Sequence, residues 1–187
     1  MKKQLLIGLL TLAMGITVQA VPFTGGITFD GTCNLNTSSA GTATGVTAFH
    51  GNGGVGSPFV ADRDGGFVPF VNVNDAVTFV SSWTFNSGAV ANFWSVGGFT
   101  FNLISSAIFT QGAGSVTVNG TGTLTGNGIT PTVGTWSFTT QDPGVGTPAR
   151  FSFSAASGFV PDGGSTMAML GFALVGVEAV RRKMAKR

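Results

Sequence analysis

Apolar and polar residues alternate with a period of two along much of this chain, and that alternation dictates its local geometry. Val77, Phe79, Ser81, Trp83 and Phe85 take one side of an extended segment, and Thr78, Val80, Ser82, Thr84 and Asn86 take the other. Phe99, Phe101 and Leu103 repeat the pattern, as do Val116 and Val118, Trp136 and Phe138, and Phe151, Phe153 and Ala155. A helix would scatter these side chains around its circumference, whereas a strand gathers them on one face. Further strands are expected near residues 27–29, 44–49 and 67–73. Turn-forming clusters such as Gly51-Asn52-Gly53-Gly54, Asp64-Gly65-Gly66, Asn86-Ser87-Gly88, Gly112-Ala113-Gly114 and Asp142-Pro143-Gly144 separate the runs. About nine short strands with frequent turns predict an all-β fold, an antiparallel β-sandwich of jelly-roll-like form. The alternating Phe and Trp residues would fill its core. Residues 114–128, low in bulk, predict an edge strand or surface ribbon, and residues 134–141 with 150–154 a final hairpin. An outer-membrane barrel is the structural rival; it needs strands of about 9–11 residues and aromatic girdles. Most runs here are shorter, and the chain has no Tyr.

Charge is concentrated at the two ends. Seven of the nine Lys and Arg residues are Lys2, Lys3, Arg181, Arg182, Lys183, Lys186 and Arg187. Residues 21–159 hold five Asp, two Arg and no Lys or Glu, a net charge of −3 behind the overall +2. That excludes a basic nucleic-acid footprint. Cys33 is the only cysteine. An intramolecular disulfide and a thiolate metal cluster are therefore impossible, and a buried apolar role is expected for it.

The ends read as export signals. Lys2 and Lys3, an apolar stretch over residues 5–18 and the Val18-Gln19-Ala20 exit predict a signal helix over residues 1–20, removed by signal peptidase after passage through the Sec translocon. Residues 21–159 would form the ectodomain. Residues 160–187 divide into a motif (Val160, Pro161, Asp162, Gly163, Gly164), an apolar helix over 165–180 and a basic tail over 181–187 opened by Arg181, Arg182 and Lys183. The uninterrupted run from Met167 to Val180 covers about 21 Å as a helix, against a hydrocarbon core of about 30 Å. This predicts a marginal transmembrane helix, with Glu178 close enough to its end to pair with Arg182. The positive-inside rule keeps both basic ends cytoplasmic and threads the middle outward.

Motif, apolar run and basic stop together resemble the PEP-CTERM class of bacterial sorting signals, most closely its VPDSG variety. The one departure is Gly163, where that pattern has Ser. The resemblance implies recognition by an exosortase, a membrane-embedded cysteine transpeptidase or protease. It also implies cleavage near the motif and delivery to the cell surface or extracellular matrix of a Gram-negative-type bacterium, in an exopolysaccharide or biofilm setting.

Catalytic groups are sparse. His50 is the only histidine, and no Gly-x-Ser-x-Gly elbow accompanies it. Asp62-Arg63-Asp64-Gly65-Gly66 resembles part of a calcium loop, with Asp62 and Asp64 as ligands and Asn72, Asn74 and Asp75 nearby, but it lacks the position-12 Glu. The alternative is a turn closed by Asx hydrogen bonds. Trp83 and Trp136 alternate into the core, whereas Trp94, in the Gly- and Asn-rich stretch Ala91-Asn92-Phe93-Trp94-Ser95, is expected on the surface as a ring for stacking on sugars. The chain thus reads as a non-enzymatic exported protein without cofactor. The alternative is a carbohydrate-binding module associated with exopolysaccharide.

Overall fold

The computed structural model describes residues 23–144 and 147–157. The signal helix at 1–20 and the sorting motif, apolar helix and basic tail at 160–187 lie outside the described residues. The described residues contain no α-helix, and none of their helices is long and apolar enough to cross a membrane.

The described residues form eleven strands: β1 (Gly25–Leu35), β2 (Gly45–His50), β3 (Phe59–Arg63), β4 (Thr78–Phe79), β5 (Trp83–Thr84), β6 (Val90–Val96), β7 (Phe99–Leu103), β8 (Ala107–Gly112), β9 (Ser115–Gly126), β10 (Thr132–Gln141) and β11 (Ala149–Ser157). All belong to one antiparallel sheet with the order β4-β6-β7-β9-β10-β11-β1-β2-β5, while β3 pairs with β1 and β8 with β9. The two ends of that path, β4 and β5, are separated by only residues 80–82, so the sheet curls until its ends nearly meet. Phe29 of β1 consequently faces Phe79 of β4 and Trp94 of β6, with ring centroids at 5.7 and 4.9 Å.

The interior is aromatic. Phe153 lies at its centre, with ring centroids 5.6 Å from Phe93, 5.6 Å from Trp136 and 5.9 Å from Phe29. The alternation holds where strands are long: in β11 every second residue from Ala149 to Ser157 is buried and the others are exposed. The outward face of β9, β10, β11 and β1 carries Ser, Thr and Asn, unlike the apolar outer wall of a lipid-facing barrel.

Three sequence expectations are corrected. Residues 67–73 form no strand. Asp64-Gly65-Gly66 starts a 3-10 turn (Gly65–Phe67), Phe67 plugs the core, and Pro69 has no N–H to offer a ladder. Residues 77–85 bury the expected side chains Val77, Trp83 and Phe85, but they form two short strands on opposite ends of the sheet path. β9 is central, not an edge strand: it pairs with β10 on one side and with β7 and β8 on the other. Its low bulk reflects crowding. A Cβ at Gly120 would collide with the Ser105 carbonyl and lie 2.8 Å from the Trp136 ring, and one at Gly122 would strike Phe101.

Candidate functional site

The long strands place their polar residues in register across the outer face. One row runs Asn119, Ser137, Ser154, Thr28 and Asp62 through β9, β10, β11, β1 and β3. The next runs Thr117, Thr139, Ser152 and Asp30. At a strand spacing of about 4.8 Å, the five-strand row is roughly 19 Å long. Each row crosses a shallow depression, of about 550 Å³ in the first case and 480 Å³ in the second. Asp62 and Asp64 form one rim of the first and Asn119 the other.

The chemistry of this surface is that of a hydroxyl-rich hydrogen-bonding array whose rows end on Asp62 and Asp30. Hydroxyls both donate and accept, and a Ser without an adjacent base is a weak nucleophile. The one ion pair on it, Arg150 with Asp30 at 3.2 Å, has the Arg side chain 73% exposed and contributes little to stability. The Thr, Ser and Asn positions opposite each buried aromatic carried the signal for these rows in the sequence. What the sequence did not supply was the strand order that aligns them.

The five described carboxylates are all bound to backbone N–H groups. Asp30 accepts from Gly31 (2.8 Å), Asp62 from Arg63 (2.9 Å), Asp64 from Gly26, Asp75 from Asn72 (2.7 Å) and Asp142 from Ala40 (2.6 Å). Asp142 also accepts from Ser39 Oγ at 2.9 Å, which fixes the 37–43 loop beside the β8–β9 turn. Sequence reasoning missed that role. At the calcium candidates Asp62 and Asp64, the carboxylates accept from the Arg63 and Gly26 N–H groups. No group of three or more His, Cys, Asp and Glu among the described residues could hold a metal ion, whereas calcium takes six to eight oxygens.

His50 ends β2 with Nε2 3.4 Å from Asn34 Nδ2, beside the 51–56 loop and Pro148. Cys33 is buried as expected. Burial pushes its thiol up from 9.0 to about 11, and a contact with Thr140 Oγ1 at 3.7 Å opposes that rise. Trp83 and Trp136 are core residues. Trp94 is corrected: it is fully buried, stacked on Phe101 with centroids at 5.2 Å, and cannot meet a sugar. A bulge between Val90 and Trp94, with Asn92 at φ 50°, breaks the two-residue period there and lets consecutive Phe93 and Trp94 both reach the core.

Residues 160–184 match the family model described as the VPDSG-CTERM motif, so the tail carries a C-terminal sorting signal of the PEP-CTERM type. Such a signal implies export, processing by an exosortase and association with the cell surface. No curated protein and no solved structure matches the chain.

Proposed function

We propose that this chain is a non-enzymatic cell-surface or matrix protein, whose jelly-roll-like β-sandwich is displayed outside the cell after both terminal signals have been processed. The sorting motif at 160–184 carries the reading. Signal peptidase removes residues 1–20, and the exosortase acts near Pro161 and Asp162 while residues 167–180 hold the chain in the membrane. The engagement of the described carboxylates with backbone N–H groups supports a role in display rather than in acid–base chemistry. Mass spectrometry of the protein from its native cells tests this. New ends near Val21 and within or beside 160–164 are expected, with Pro161→Ala and Asp162→Ala leaving the second end uncut. Recovery of an intact, freely dissolved cytosolic chain would overturn the reading.

The hydroxyl rows favour one elaboration, binding of a neutral polysaccharide along the outer face of β9, β10, β11 and β1. With Trp94 buried, recognition would rest on hydrogen bonds rather than ring stacking. Titration calorimetry against neutral glycans is expected to give binding that Ser137→Val and Ser154→Val together abolish. Unchanged binding in that double variant would exclude this face.

A further inference from the structure

The first and last described strands meet at one pole of the domain. Gly25 opens β1 opposite Ser157, which closes β11, and Ser157 Oγ donates to the Gly25 carbonyl at 3.1 Å. Residues 1–22 and 158–187 therefore join the domain side by side. The 3-10 turn Gly65–Phe67 and the loop after it cover that pole. Gly66 N–H donates to the Thr24 carbonyl at 2.8 Å, Phe67 packs on Phe23 with centroids at 4.8 Å, and Phe70 packs on Phe99 at 5.5 Å. The loop nonetheless turns apolar surface outward. Val68 and Phe70 are 49% and 48% exposed, with exposed Pro69 between them. The other strongly exposed large apolar residues, such as Val55 and Phe109, stand singly along the chain. Residues 65–74 carry no charge, and Asp64 and Asp75 bracket them.

We propose that the Val68-Pro69-Phe70 loop rests in the headgroup layer of the membrane that holds the C-terminal segment, on neutral zwitterionic lipid. The inference rests on the reading of residues 167–180 as an anchor. Nine residues, 158–166, separate Ser157 from that run, a reach of at most about 35 Å. So short a tether holds this pole near the bilayer, where a weak partition acts as an intramolecular contact. Charge selects the lipid: Asp64 and Asp75 outnumber Arg63, whose Nε donates to the Val71 carbonyl, and the domain's net −3 repels anionic headgroups, while Val68, Pro69 and Phe70 offer apolar surface. The 51–56 loop, with Val55 exposed and Pro148 beside it ahead of β11, lies away from Gly25 and Ser157 and supplies the control.

The full chain is reconstituted in phosphatidylcholine vesicles carrying bromine on the upper acyl carbons. A polarity-sensitive fluorophore is placed through Val68→Cys, Phe70→Cys or, as control, Val55→Cys; buried Cys33 leaves the label to the new thiol. The expected result is a blue shift with bromine quenching at positions 68 and 70 and neither at 55. Vesicle flotation of the chain without residues 1–20, whose apolar stretch would itself hold a vesicle, reports the anchor independently. A chain that floats but shows no more quenching at 68 and 70 than at 55 overturns the loop contact alone. A shift that grows with protein density and resists bromine makes a second copy the occupant and also overturns it. A chain that fails to float overturns the anchor reading and this inference with it.

Discussion

The four long strands β9, β10, β11 and β1 and the segment 51–92 line the same aromatic core by different means. The long strands do it by repetition. Each inward residue has a neighbour in register on the next strand, and most outward positions are polar. The segment 51–92 contributes short strands, two 3-10 turns and individual plugs such as Phe67, Trp83 and Phe85. In the first region hydrogen-bond ladders position the side chains. In the second, buried side chains position a backbone that has few ladders of its own, since burying a large aromatic can outweigh local strand preference.

That contrast sets an order of sensitivity. The largest effect is expected within the ladders, from Gly120→Val: the new side chain collides with the Ser105 backbone, which cannot yield as a flexible side chain would. A loss above about 3 kcal/mol is expected in urea unfolding, or no soluble fold at all. Phe153→Ala follows, at about 3–5 kcal/mol, because it opens a cavity among rings from both regions. An equal loss from Phe70→Ala would erase the distinction, since half-exposed Phe70 should cost far less.

The third effect is a pH dependence centred on Cys33. Its folded thiol sits at about 11 against 9.0 in its ordinary state. The unfolded chain therefore loses that proton first. The stabilisation is complete below pH 9 and is lost as pH rises through 11. The expected difference is about 2–3 kcal/mol. The chain has no Tyr, and residues 23–157 have no Lys, so few other groups titrate in that window. Cys33→Ala should flatten the slope, which urea melts at pH 8 and 11 would reveal. The smallest effect belongs to the outer rows. Thr139→Ala and Ser152→Ala should move stability by no more than about 0.5 kcal/mol. A larger shift would mean that the polar face also holds the fold together.

The same contrast explains what could be read from the chain. β7, β10 and β11 were legible because a period of two in a long run admits one solution, with aromatics inward and hydroxyls outward. In residues 77–85 the buried face was legible but the pairing was not: periodicity reports which side chains point together, not which sheet edge each residue joins. Residues 67–73 look like a strand by composition, yet the turn at Gly65–Phe67 and Pro69 prevent a ladder. Trp94 was misplaced because its Asn and Gly neighbours suggest a surface, whereas the bulge at Asn92 carries it inside. The hydroxyl rows needed the register across five strands, which local sequence does not encode.

β1 and β11 are neighbours in the sheet but lie at opposite ends of the described chain. Synthesis and export deliver β1 early, and its longest partner arrives only when residue 157 has emerged. Until then β1 lacks that ladder, and Phe29 lacks Phe153. Folding is thus timed by the arrival of the C-terminal strand, immediately ahead of the sorting motif. The last strand of the domain and the sorting signal therefore become available at nearly the same moment, so the sheet completes just as the motif does.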